Sequence, residues 1–345
     1  IDAEPFDLSG WEAVIPALAE SDPAGEIGIR GLVIETEPLE VHGNLDIHGL
    51  RLRRGDGAEV RLGGGFRGTG SKIRSEKLVA RVAGQEIRLS IELTELAGRP
   101  RFATEVEADG VESSALLALF TEKNDTLQGP LELHGKLAGP VGADRPLVET
   151  IQGRVRIRIE PGRLKGVSVL ERTFQGAGTS RGADALAGGR TLERYSDDEF
   201  QYLGGTLQIA GGLARTDDLR LVYRDYTVDL RGTVGLRDQQ LNLQGELTID
   251  DEIGGAVAGE GPADPKLQPG SSRVIPLARV GGTLESPRVE ITDEAVLRLA
   301  AIYATAERRE QWQEKIDEYL GEGAGSQVLE ALDGILSGEP GESRE

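Results

Sequence analysis

The sequence predicts a mainly β protein: a long, twisted antiparallel meander sheet curled into a groove, with a few short helices and a C-terminal helical segment. Three observations lead there. Apolar and polar residues alternate with a period of two in many short stretches. The connections between those stretches are only a few residues long. Helical periodicity is confined to a handful of places.

The sharpest alternation is "RVRIRI", Arg154 to Ile159, in which three arginines face one way and Val155, Ile157 and Ile159 the other. Similar stretches run from Gly43 to Leu52, Ile87 to Leu93, Leu131 to Leu137 and Leu207 to Ile209. Others run from Leu219 to Tyr223, Thr227 to Leu236 and Leu241 to Ile249. Between them lie "RGDGAE", "VAGQE", "LAGRP", "VYRDYT" and "GLRDQQ", which permit hairpins and exclude parallel crossovers. Some twenty such strands, at about 4.8 Å each, would extend roughly 90–100 Å. Gly43, Gly135, Gly153, Gly232 and Gly245 fall among the inward aliphatics, where glycine marks a bend or a close backbone approach. Two arrangements accommodate the resulting apolar face: a sandwich, in which two sheets cover each other, or one sheet curled into an apolar trough.

Helices are few. "SGWEAVI" offers Ser9 and Glu12 as a capping box, with Pro16 limiting the helix, and "DGVESSALLALF" repeats the device with Asp109 and Glu112. The strongest helix follows Thr292 and carries Val296, Leu299, Ala300, Tyr303, Trp312, Ile316, Tyr319 and Leu320. A shorter one holds Val328, Leu329, Leu332 and Leu336, ahead of a polar tail. Gly254 to Ser272 has three prolines and no period, and reads as a flexible crossing segment.

A weak repeat relates the two halves. Ser9-Gly-Trp-Glu12 precedes Asp109-Gly-Val-Glu112 by 100 residues. Ile27, Ile29 and Gly31 match Leu131, Leu133 and Gly135; Gly43, Leu45 and Ile47 match Gly153, Val155 and Ile157. This divides the chain into a first β repeat with its capped helix (1–108), a second β region (109–292), C-terminal helices (293–337) and a disordered tail (338–345).

Composition narrows the chemistry. A net charge of -20 disfavours nucleic acid as a main ligand. Without cysteine there is no disulfide, thiolate site or thiol nucleophile. Methionine is absent even at position 1, as expected of a processed or excised chain, and no apolar run reaches 18 residues, so any membrane anchor is expected upstream of Ile1.

No motif supports an active site. "GTSRG" (Gly178 to Gly182) fits a nucleophile elbow in letters only, since His42, His48 and His134 all precede it. "GGGFRG" (Gly63 to Gly68) is followed by a strand pattern rather than a helix, and reads as a hairpin turn region instead of a dinucleotide loop. His42, Asn44, Asp46 and His48 share a strand face, but the two histidines would stand about 20 Å apart, too far to hold one ion. The expectation is a non-enzyme with no cofactor and no metal.

Several stretches in order resemble the C-terminal region of the AsmA family of Gram-negative envelope proteins. They are "LLALFTEKNDTLQGPLELHGKLAG", "LVETIQGRVRIRIEPGRLKGVSV", "FQYLGGTLQIAGGLARTDDLRL", "VDLRGTVGLRDQQLNLQGEL" and "VGGTLESPRVEI". The resemblance covers Leu116 to Ile291, and the first hundred residues in pattern only. It implies a periplasmic bridge-like β-groove, anchored in the inner membrane by a segment this chain lacks, that carries phospholipid towards the outer membrane. Alternation then nominates Val155, Ile157, Ile159, Val228, Leu230, Val234, Leu241, Leu243, Leu247 and Ile249 as residues lining the groove against acyl chains. The alternative is a sealed scaffold that assists outer-membrane protein assembly, with other envelope proteins as partners. A carbohydrate-active β protein is the weakest reading, because two Trp and six Tyr supply no aromatic platforms.

Overall fold

A computed structural model describes residues 1–9, 23–54, 58–119, 126–141, 146–165, 199–224, 226–249, 273–284 and 286–290. Alternating sequence becomes extended chain nearly throughout. The strands are β1 (Ala3–Asp7), β2 (Ala24–Thr36), β3 (Leu39–Arg54), β4 (Ala58–Gly70), β5 (Lys72–Val82), β6 (Gln85–Thr94) and β7 (Arg101–Glu112). A one-turn helix α1 (Ser113–Leu117) follows, then β8 (Leu127–Gln128), β9 (Pro130–Pro140), α2 (Leu147–Thr150), β10 (Gln152–Ile159) and β11 (Gly162–Leu164). The remainder is β12 (Glu199–Phe200), β13 (Tyr202–Ala210), β14 (Leu213–Val222), β15 (Tyr226–Gly235), β16 (Leu241–Ile249), β17 (Arg273–Thr283) and β18 (Ser286–Glu290).

Fifteen strands form one antiparallel sheet in the order β1-β2-β3-β4-β5-β6-β7-β9-β10-β13-β14-β15-β16-β17-β18. Each main strand pairs with the next main strand in sequence, as short connections require. The two ends of the series do not meet, so the sheet is open rather than a barrel. At about 4.8 Å per strand it extends roughly 70 Å, shorter than the expectation from twenty strands. The other three strands, β12-β11-β8, make a separate small sheet.

Register shifts interrupt most pairings. Such bulges bend a strand and increase its twist. One of them corrects a sequence expectation. Asp109 does not cap a helix: it sits in β7, where Asp109 and Gly110 form the bulge between Ala108 and Val111. The bulge keeps Val111 on the apolar face, opposite Leu131 and fully buried. That burial competes with a cap worth only about 1 kcal/mol, and α1 starts four residues later without a side-chain cap.

"GGGFRG" is likewise no turn. Gly63 to Gly68 lie inside β4, and the turn comes after Gly70. Gly64 has φ +126°, and a Cβ there would fall on the Lys77 carbonyl oxygen at the β5 bulge. The glycine run therefore lets β4 pass close to its neighbour.

The sheet runs without a break through the 108/109 division, since both residues belong to β7. In the repeat, Gly43 and Gly153 correspond in structure too, each with positive φ on the same face. The expected helices after Ser9 and Thr292, the stretch Gly254 to Ser272, the tail and the "GTSRG" segment lie outside the described residues.

Candidate functional site

The pairing registers sort side chains into two faces. One row of directly opposed residues crosses seven strands: Val111, Leu131, Ile159, Leu203, Leu221, Val228 and Leu247. The next row towards the other strand end contains Ala108, Leu133, Ile157 and Gly205. A row further on runs Thr104, Leu137, Gly153, Ile209, Ala214, Val234 and Leu241. The N-terminal strands continue the same face with Ile27, Ile29, Leu45, Ile47, Leu62, Phe66, Leu78 and Leu89. Away from the strand ends, described positions on this face carry no charge; the polar ones are Ser75, Thr104 and Thr216.

All ten nominated residues occupy this face, although their burial differs. Ile157, Leu230 and Val234 are half-buried, and Val155 and Leu241 are nearly buried. Ile159 (1%), Val228 (1%), Leu243 (4%) and Leu247 (0%) are closed off from solvent. Ile249 stands opposite Tyr226 in the ladder.

Over part of the closed row, at Val111 and Ile159, lies a cap that the sequence reading missed. β8, β11 and β12 are extensions of β9, β10 and β13 at one end of the sheet, reached through Gly129, Glu160-Pro161 and Gln201. Gly129 backs directly onto the Ile159 side chain. Phe200 is buried edge-to-face against Tyr223, which stacks on Tyr226 with centroids 4.3 Å apart. Beside it, Ala115, Leu116 and Leu119 pack on Ala80, Val82, Ile87, Ala108 and Val111. Ser113 joins helix to cap: its N–H donates to the Gly129 carbonyl (2.9 Å) and its hydroxyl to the Leu127 carbonyl (3.1 Å). The available signal was the row of turn residues in "TLQGP" and "IEPGR", which interrupt the alternation at one shared level.

The opposite face is charged and largely self-neutralised. Cross-strand pairs include Arg30–Asp46 (2.5 Å), Arg74–Glu92 (2.7 Å), Lys136–Glu105 (2.7 Å) and Arg220–Asp229 (2.6 Å). Arg74 beside Glu92 holds that carboxyl below its ordinary value, and Glu105 raises the Lys136 ammonium. Arg154, Arg156 and Arg158 all lie here, with Arg158 paired to Glu160 and over the Tyr202 ring. Of the suspected metal set, Asp46 accepts from Arg30 and Asn44 accepts from Arg67 (3.1 Å), while His42 lies 3.5 Å from Glu40. Among the described residues no three ligand-type side chains converge as a metal ion requires.

Two shallow cavities also open on the charged side. One, of about 430 Å³, is lined by Arg51, Arg61 and Arg81, of which Arg61 and Arg81 are bound by Glu59 and Glu86. The other, of about 440 Å³, lies among Glu86, Arg88, Glu107, Glu132 and His134. Neither combines apolar walls with converging polar groups, as small-molecule sites usually do. Comparison with family models, curated proteins and solved structures finds no match.

Proposed function

We propose that the charge-free face is an open trough that carries phospholipid acyl chains between inner and outer membrane, and that the protein contributes in this way to outer-membrane biogenesis. The reading includes membership of the AsmA family, a periplasmic location, an inner-membrane anchor outside this chain and no catalytic step. One observation carries it: a face free of charge away from the strand ends, continuous over the strands of a sheet of roughly 70 Å, on which Leu133, Ile157, Leu230 and Val234 stay half-buried rather than closed. Monomeric proteins rarely leave so extended an apolar surface in contact with water without using it. Bulges and close-approach glycines favour the curl that turns such a face into a trough. A fully buried aliphatic side chain gains about 1.5–3 kcal/mol. Half-buried residues such as Ile157 and Leu230 keep part of that gain in reserve for a bound chain.

The closed row favours a second reading, in which the whole face is sealed core and the protein is an envelope scaffold assisting outer-membrane protein assembly. Ile157→Asp separates the two. In an open trough the variant stays folded and loses co-purifying phospholipid on solvent extraction. In a sealed core it unfolds, as Leu247→Asp does under either reading, because a buried unpaired charge costs several kcal/mol.

A further inference from the structure

The two ends of the strands are not alike. At one end, α1 packs on Ala108 and Val111, the small sheet begins beside Ile159, and Phe200, Tyr223 and Tyr226 are buried. At the other, the described chain turns in short hairpins and the one-turn helix α2, and every large aliphatic that the described residues expose lies there. Val33 and Ile34 stand near the β2–β3 turn, and Ile1 is bonded to Leu32 beside them. Val141 follows β9, Leu147 opens α2, Leu213 (46%) opens β14 and Leu284 (42%) lies between β17 and β18. These turns are tied to one another by Val141 N–H to the Pro100 carbonyl (2.7 Å), Leu236 N–H to Gly212 (2.9 Å) and Leu284 N–H to Gln239 (3.1 Å). The margin thus carries exposed aliphatics beside charged residues such as Arg237 and Glu149, which pair across it, and is held in shape.

Resting on the proposed trough, we infer that this uncapped margin is its mouth: each lipid enters tail-first along the strands, its methyl ends stop at the capped row, and its polar headgroup stays outside the Val141–Leu213–Leu284 margin. The depth fits one class of occupant. From Leu133, just inside the capped row, to Gly139 at the margin is six residues, or about 20 Å of strand. One leaflet of a bilayer, half of a hydrocarbon core of about 30 Å, is about 15 Å deep. An acyl chain lying along β9 and β10 is therefore contained, while a headgroup has no place on a face without charge. Among the described residues the capped end shows no comparable opening: Phe200, Tyr223 and Tyr226 are buried there.

The cysteine-free chain makes the test direct. Single-thiol variants Val141→Cys and Leu213→Cys at the margin, and Arg224→Cys in the exposed turn at the capped end, each carry a fluorophore. Each is loaded with phospholipid bearing a nitroxide on the headgroup, or at the methyl end of one acyl chain. The headgroup probe quenches the two margin labels several-fold more than the Arg224→Cys label, and the methyl-end probe reverses that order. Equal quenching at both ends, or a headgroup preference for Arg224→Cys, overturns the inferred orientation while leaving lipid binding intact. No quenching by either probe at any site overturns the trough itself.

Discussion

Gly153 shows how a single residue fixes the geometry of the apolar face. Its φ of +155° and the Lys136 carbonyl oxygen, which lies where a Cβ would be, exclude any side chain without movement of β9. Gly153→Ala is expected to destabilise the fold by about 1–3 kcal/mol through backbone strain, read as a lowered denaturation midpoint with unchanged slope. The contrast between Ile157 and Leu247 is the functional counterpart. Both face the same way, and alternation alone gives them the same rank. They differ in burial: Leu247 is closed off in the row of Val111 and Ile159, and Ile157, one row inside it, is half-buried. A period-two pattern reports which face a side chain takes, whereas the cap is built by residues distant in sequence.

At the scale of elements, the bulges and the cap do most to shape the sheet. Ser113→Ala removes the hydroxyl bond to Leu127, a loss of about 1 kcal/mol for a hydrogen bond of this kind. The expected signature is faster amide exchange in Leu127–Gln128 and Gly162–Leu164, with β13 to β16 unaffected. The β14 bulge carries its own titration. Burial opposes ionisation of Asp218, but the Thr206 N–H (2.7 Å) and the Thr216 hydroxyl outweigh it and hold its carboxyl below the ordinary 3.8. With a depressed folded-state pKa, this contribution is fully present above pH 3.8 and is lost as pH falls below it. Melting temperature measured from pH 7 down to pH 3 should fall less steeply in Asp218→Asn than in the parent chain. Strands and hairpin turns were legible from alternation and from pieces such as "VAGQE" and "GLRDQQ", which the structure places at the β5–β6 and β15–β16 turns. The bulge at Asp109-Gly110 was not, because a capping box and a strand bulge draw on the same residue types. The glycines of β4 resembled a turn because a turn and a close strand approach both select glycine.

The whole molecule has a division of charge that composition conceals. The described residues contain 27 basic and 27 acidic side chains, so the net -20 falls entirely in the rest of the chain. The sheet itself is neutral, with its ion pairs on one face and none among the apolar rows of the other. The described strands and turns therefore carry no net charge that would repel an anionic headgroup. The shared face of the ten nominated residues was legible because alternation within β10, β15 and β16 carries into the ladder. The extent of the face was not, since Ile27 to Leu89 join it only through the ladder from β2 to β7 and the β7–β9 pairing. Whether this face holds acyl chains is read from native mass spectrometry of the purified chain. If the face holds acyl chains, the spectrum shows a ladder of masses above the bare chain, each step equal to one phospholipid, with more than one lipid per chain on a sheet of this length. A single peak at 36.9 kDa from folded protein offered phospholipid would contradict it.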